Sequence, residues 1–459
     1  MKKILVLLII FVFSSKTGIW GQNSSLPPSY DPRPLGLTTP VRGQGFSGPC
    51  ALFAVIASAE HLIRKQTGRE LLLSAEHLIF SLDFTYSHSL WTSAGVSPGV
   101  ARTFMAGGYG LVYEQDFPYR GTRGLPLPAN FQTVQRHLRM TGTAIVPGGL
   151  ENHEAQKSAI MQYGGIVAHL AGTDSYNNTA GNRRPIISWY LSTNPGSSQG
   201  DHFVLLVGWD DNYSRSNFGT TPRGDGAWLI KDPNGPNVGD NGYRWLSYYD
   251  APLLARANHS FFTGFKFLNP NEIIHSYGNG VTAQYGFGYY SHQTMFVANV
   301  FKISEQEAEN YQINEVLFVG RDNYRYTIFL EQINTNGTLP NNTSLPSFQT
   351  INTWAQNRAY ATIQTPVTTT ANGQWRSVEL DKPFIPQAGY YAVIIKAQNL
   401  TTERHGASFD QEINQGSYMV TINPGESFRM RQGIVWEDLT NLNTPRGNYA
   451  INTVLQRRN

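Results

Sequence analysis

The chain has 459 residues, too many for one ordinary domain, so two or three units with separate cores are expected. With 40% hydrophobic and 15% charged residues, 44 Gly and 25 Pro, the composition excludes disorder throughout and favours turn-rich, largely β structure. The formal charge of +3 is carried by Lys2, Lys3 and Lys16. Without them the chain is neutral and has no basic run longer than a pair such as Arg183-Arg184, which excludes a general polyanion binder and leaves no expected nucleic-acid partner.

Met1-Lys2-Lys3 and the apolar run Ile4 to Phe13 have the positive and hydrophobic regions of a secretory signal peptide, expected over 1–21 with cleavage after Gly21. The run is too short to span a bilayer, which takes about 20 residues. The expectation is therefore a secreted, periplasmic or cell-surface protein with no transmembrane anchor after cleavage. Further on, Leu52, Val55, Ile56, Ala59, Leu62 and Ile63 recur at helical spacing and predict a helix over Ala51 to Lys65, with Gly68 past its end. Ser74 is a good N-cap for a second helix, and Val100 to Ala106 predicts a third, closed by Gly107-Gly108. From Gly164 the pattern turns to strands at Ile166 to Ala168, Phe203 to Val207, Ala227 to Ile230 and Tyr243 to Tyr249. Polar loops are expected at Asn177 to Arg184 and Ser192 to Gly200, and a long hairpin connection at Asp211 to Gly226. Helical signals stop around Phe265 to Asn271. Val316 to Val319, Tyr324 to Leu330, Trp375 to Leu380, Tyr390 to Ile395, Tyr418 to Ile422 and Asn448 to Leu455 then predict an antiparallel β-sandwich over 270–459, with a polar loop at Asn334 to Pro346.

An exported chain normally pairs its cysteines, yet Cys50 is the one cysteine here, so no internal disulfide or multi-cysteine metal site is expected. No metal or nucleotide cofactor is indicated. Cys50 sits where the loop Gly43-Gln44-Gly45-Phe46-Ser47-Gly48-Pro49 enters a helix, at the positive end of the helix dipole, a position that favours thiolate over thiol. The Gln44 amide is placed to donate to an oxyanion together with the Cys50 backbone N–H. His202 opens the apolar run Phe203 to Val207, where a strand start presents its ring to a cleft. His61, His77, His88 and His169 are read as core or surface residues.

The segment around Cys50 resembles the active-site signature of the papain family. Leu26-Pro27-Pro28-Ser29-Tyr30-Asp31 resembles the mature start of such enzymes, and Leu73-Ser74-Ala75-Glu76-His77-Leu78 their second helix. Gly107-Gly108-Tyr109-Gly110 with Glu114 to Phe117-Pro118-Tyr119, Asp201-His202-Phe203-Val204 with Val207-Gly208-Trp209, and Gly226-Ala227-Trp228-Leu229-Ile230-Lys231 follow in family order over roughly 26 to 250. The resemblance implies an α+β papain-like two-lobed domain over 22–265, one lobe helical and the other β-barrel-like, followed by a C-terminal all-β sandwich. It also implies Cys50 as nucleophile, His202 as acid/base and Gln44 as oxyanion donor. The second domain resembles the lectin-like β-domain that follows some bacterial papain-like modules. Its aromatic residues Trp354, Trp375 and Trp436 are read as core positions in preference to sugar platforms.

The pattern is not followed throughout. Where the family has Asn-Ser-Trp-Gly this chain has Asp232-Pro233-Asn234-Gly235, so Asp232 takes the place of the residue that orients the histidine. Asn234 stands at the shielding Trp, Ala51 at the Trp beside the nucleophile and Ser47 at a disulfide cysteine, and the catalytic hydrogen bonds are expected to be wetter than in the family. Only Gln22 to Ser25 separate the expected cleavage site from the mature-like start. Control of activity is therefore expected from location or from the C-terminal domain, not from a conventional prodomain. The resulting expectation is an exported cysteine-type peptidase acting on a protein or peptide substrate, with a carbohydrate or cell-surface ligand for the C-terminal domain. The alternative is a catalytically degenerate papain-like module in a binding or adhesion protein, and a transpeptidase or amidase would use the same acyl chemistry.

Overall fold

The computed structural model describes residues 26–45, 48–86, 97–121, 126–131, 133–179, 187–196, 201–256, 258–269, 272–276, 294–333, 341, 344–346, 350, 358–365, 373–400, 427–431, 435–438 and 451–458. The expected signal peptide, Ser47, His88, Trp354, the Trp436 side chain, the strand at 418–422 and most of the loop at 334–346 lie outside these.

Helix α1 (Cys50–Thr67) runs two residues beyond the sequence expectation and ends at Gly68, whose φ of 71° lets its N–H close on the Arg64 carbonyl. Every residue from Cys50 to Ile63 is buried, so this is a central helix and not a surface one. Helix α2 (Ala75–Tyr86) starts as expected: the Ser74 hydroxyl accepts from the His77 N–H at 2.9 Å and donates to the Phe117 carbonyl. Helix α3 (Pro98–Ala106) starts two residues earlier than expected because Ser97 caps it and Pro98 fits its first turn. These three helices form one lobe.

The other lobe is built from β1 (Ser29–Tyr30), β2 (Leu138–Pro147), α4 (His153–Tyr163), β3 (Ile166–Ala171), α5 (Thr173–Thr179), β4 (Ser188–Trp189), β5 (Asp201–Asp210), β6 (Ala227–Lys231), β7 (Tyr243–Ser247), α6 (Ala251–Leu254) and β8 (Asn258–Phe267). The expected loop at Asn177 begins inside α5 instead, because the polar run there continues the turn begun at Thr173. The core of this lobe contains Leu170, Trp189, Val204, Leu206, Trp209, Trp228 and Ile230.

Beyond it lie β9 (Glu272–Ser276), β10 (Thr294–Ile303), α7 (Glu305–Asn310), β11 (Tyr311–Arg321), β12 (Tyr324–Ile333), β13 (Ala361–Gln364), β14 (Gly373–Phe384), β15 (Gly389–Asn399), β16 (Ser427–Arg431), β17 (Val435–Asp438) and β18 (Ile451–Arg457). The expected sandwich is present. One sheet runs β13-β12-β15-β10-β16-β17, and β14, β11, β18 and β9 face it across a core of Val297, Phe301, Tyr326, Ile328, Val316, Phe318, Val378 and Leu455.

The two halves share more than a linker. Strands β14, β11, β18 and β9 continue the sheet of the first lobe, with the order β4-β7-β6-β5-β3-β8-β2-β14-β11-β18-β9. The junction is at Arg376 opposite Gly142. Leu317, Val319, Trp375 and Val454 enter the same hydrophobic cluster as Phe104, Met105, Leu138 and Met140. Trp375 is thus a core residue, as read from the sequence. At Gly108, φ is 98° and an added Cβ would lie 2.8 Å from Leu317 Cδ1, so the α3 end abuts the second domain without room for a side chain. Arg139, fully buried, pairs with Glu315 across the junction, and Lys266 approaches the same carboxylate at 3.2 Å.

Candidate active site

Cys50 is the first residue of α1 and is 8% exposed; His202, on the second position of β5, is 4% exposed. The register that sets Leu170 opposite His202 turns the ring away from α1's apolar contacts with Leu205 and Val207, which lie on the opposite face of β5. The Cys50 side chain lies close enough to the ring for its hydrogen bonding and charge to raise the His202 pKa. The other side of the ring meets Asp232, with Nε2 3.0 Å from Oδ1. A carboxylate only accepts, so the proton on that side belongs to Nε2, and Nδ1 is the nitrogen left for the sulfur.

Asp232 follows β6 directly and is completely buried. Oδ1 also accepts from the Asn234 N–H at 3.0 Å, and Oδ2 accepts from Arg244 Nε at 2.9 Å. Burial alone would raise the Asp232 pKa, but the His202 bond and charge, the Asn234 N–H and the Arg244 guanidinium lower it on balance. Burial likewise acts against a charged His202, yet the bonds and charges of Asp232 and Cys50 outweigh it and raise the ring to about 9. The ring therefore holds its second proton through neutral pH and loses it as pH rises through about 9.

The expectation of wet catalytic hydrogen bonds is overturned by this burial. The shield comes from another part of the chain. Trp189, on β4, sits edge-on to the His202 ring at 6.2 Å, stacks on Tyr176 at 4.7 Å, and carries the Arg244 guanidinium over its face at 4.4 Å. Asn234, in the place of the family's Trp, donates instead to Thr173 Oγ1 at 3.1 Å.

Gln44 is held by its backbone. Its N–H donates to the Pro233 carbonyl at 2.8 Å, and its carbonyl accepts the Tyr119 hydroxyl at 2.5 Å. Tyr119 is in turn fixed by Glu114, which accepts its N–H at 2.8 Å and pairs with Arg42 at 3.0 Å. The Glu114 to Tyr119 motif thus supports the loop that carries Gln44. Gly45, at φ 75°, faces the Gly121 carbonyl so closely that a Cβ would lie 2.8 Å from it. The turn that bears Asp232 therefore also anchors Gln44, through Pro233. Immediately before it, Lys231 is buried with Nζ donating to the Thr39 carbonyl and hydroxyl at 2.8 Å each.

His61 and His77 stay outside this constellation. His61 lies 3.1 Å from the Gly164 carbonyl, and His77 packs between Phe117 and Phe131, where burial pushes its pKa down to about 4. Sequence reasoning missed Arg244 and Trp189. Arg244 stands opposite Ile230 on β7, and a charged residue at an inward position of a central strand requires a buried acid partner. That was the available signal.

Residues 26–253 match the family described as papain family cysteine protease, and residues 274–454 match the lectin-like domain. Residues 26–253 belong to the papain family of cysteine proteases. Curated relatives include cathepsin 7 of Mus musculus, 28% identical over 49% of this chain and 62% of its own length. Cathepsin K of Mus musculus is 26% identical over 48% of this chain and 60% of its own length. This chain thus spans about three-fifths of the length of those relatives. Among solved structures, the clostridial cysteine protease Cwp84 after propeptide cleavage superposes with a TM-score of 0.76 at 22% identity, over 94% of this chain and 99% of the other. A second structure, of the cysteine protease and lectin-like domains of Cwp84, described as a surface layer associated protein of Clostridium difficile, gives 0.76 at 21% over 94% and 89%. The shared fold covers both domains in one arrangement.

Proposed function

We propose that the chain is an exported cysteine-type peptidase in which Cys50 is the nucleophile, His202 the acid/base, Asp232 the residue that orients it and Gln44 an oxyanion donor. The observation that carries this reading is the chain of contacts from Cys50 through His202 to Asp232, with the sulfur on the first residue of a buried helix. His202 takes the thiol proton, and the sulfur attacks the acyl carbon of a peptide. The oxyanion is met by the Cys50 N–H, which lacks an intrahelical partner at this position, and by the Gln44 amide. His202 then protonates the leaving amine. Water, deprotonated by the same ring, hydrolyses the thioester. Every step uses groups of the chain and water.

The leader at 1–21 supports export, and among the described residues no helix is long and apolar enough to cross a membrane. The match of residues 274–454 to lectin-like domains supports a binding role toward a carbohydrate or cell-surface ligand. The reading is tested with an irreversible peptidyl epoxide that alkylates thiolates. One label per chain near pH 7, absent from Cys50→Ala, is expected; no label on the unaltered chain would point to a degenerate binding module. Gln44→Ala is expected to lower kcat by about 10²- to 10³-fold with KM little changed, the cost of one oxyanion donor. An unchanged kcat would remove Gln44 from the site.

A further inference from the structure

We infer that Arg244 is a positioning residue of this site: it neutralises the Asp232 carboxylate, so that the pair offers His202 a near-neutral acceptor in place of a bare anion. The inference rests on the catalytic assignment of Cys50, His202 and Asp232 made above.

Asp232 has no solvent exposure; Oδ1 is shared by His202 and the Asn234 N–H, and Oδ2 is left to Arg244. Oδ1 faces His202 at 3.0 Å, and Oδ2 faces Arg244 Nε at 2.9 Å. The ring must hold a proton to release the amine and must give it up to activate water. A lone buried carboxylate against Nε2 would favour the first state at the expense of the second. The guanidinium on the far oxygen draws that charge away. It is well placed for this, because it sits over the face of Trp189, which is itself stacked on Tyr176, and this contact helps hold the group toward Oδ2.

Among the described residues, the charged and titratable groups around His202 are few. Cys50 faces it from α1 and Asp232 from the end of β6; Arg244, on β7, reaches it through Asp232. His169 on β3 feels its charge and pairs with Asp201, the neighbour of His202 in β5, at 2.7 Å. Arg256 binds the same Asp201 at 3.2 Å. On α5, Tyr176 gives its hydroxyl to Asp250 and Asp174 is exposed. Lys231 points to Thr39. Arg244 is thus the cation in contact with Asp232 on the side away from the ring.

The test is kcat/KM against pH for the full chain, with Arg244→Met, Asp232→Asn and the double variant, each normalised to sites titrated by the epoxide and checked by thermal melting. Activity requires the imidazolium, so its loss sets the alkaline limb. Arg244→Met leaves the carboxylate uncompensated, and the limb is expected to move up by about one pH unit. Asp232→Asn leaves the guanidinium uncompensated, and the limb is expected to move down by about one unit. The double variant is expected to return to the original limb and to exceed both single variants in rate. A limb that stays put in Arg244→Met while the melting temperature falls would make the arginine merely structural and overturn the inference. Should Arg244→Met not fold, equal limbs in Asp232→Asn and the double variant would overturn it equally. Failure of the epoxide to titrate the unaltered chain would instead sink the catalytic assignment on which it rests.

Discussion

Cys50→Ala and His202→Ala are each expected to reduce kcat by about 10⁴- to 10⁶-fold while the chain stays folded, and the double variant is expected to lose scarcely more. The near-equality follows from the contact between the two groups. The sulfur is a competent nucleophile only when the ring has taken its proton, and the ring has nothing to activate without the sulfur, so removing either removes the same step. The Cys50 side chain is small, so truncating it opens little cavity, and in His202→Ala the buried Asp232 carboxylate keeps its bonds to the Asn234 N–H and Arg244. Steady-state rates with a peptide substrate, together with melting curves, check this. Losses that multiply in the double variant would show two independent contributions and contradict the proposed pair.

A chain ending at Phe267 is expected to fail to form a cooperative fold. Such a cut removes Leu317, Val319, Trp375 and Val454 from the cluster around Phe104, Met105, Leu138 and Met140. Each large apolar side chain contributes about 1.5 to 3 kcal/mol by burial, against a total stability of about 5 to 15 kcal/mol for an ordinary domain. The cut also strips Arg139 of Glu315, and an ion left unpaired in the interior costs about 3 to 5 kcal/mol. The Gly107 carbonyl would lose Asn452, and β2 would lose its neighbour β14. Circular dichroism and calorimetry of the shortened chain check this. A single transition within a few degrees of the full chain would refute it. Control of activity by the second domain is therefore better examined by substitutions at the junction, such as Glu315→Gln, than by removing the domain.

Much of this was legible before any coordinates. The period of Leu52, Val55, Ile56 and Ala59 placed α1, and apolar, β-branched and aromatic runs placed β5, β6 and β12. The strand β2 was not recognised because a bulge between Met140 and Gly142 breaks its alternation. Cys50, His202 and Asp232 were readable because each sits at a boundary between a loop and a regular element. Trp189 was not, since β4 is only two residues long and its link to His202 exists only in three dimensions. The same holds for the joint core. Nothing in the local pattern of Trp375 says that its ring packs among residues of the other domain.

The Asp232 turn also limits how this site can change. Restoring the family's Asn at 232 alone would leave a guanidinium against Trp189 without its anion, and an indole at 234 would displace the bond to Thr173. Positions 232 and 244 are therefore expected to change together, since either single exchange leaves a buried charge without its partner.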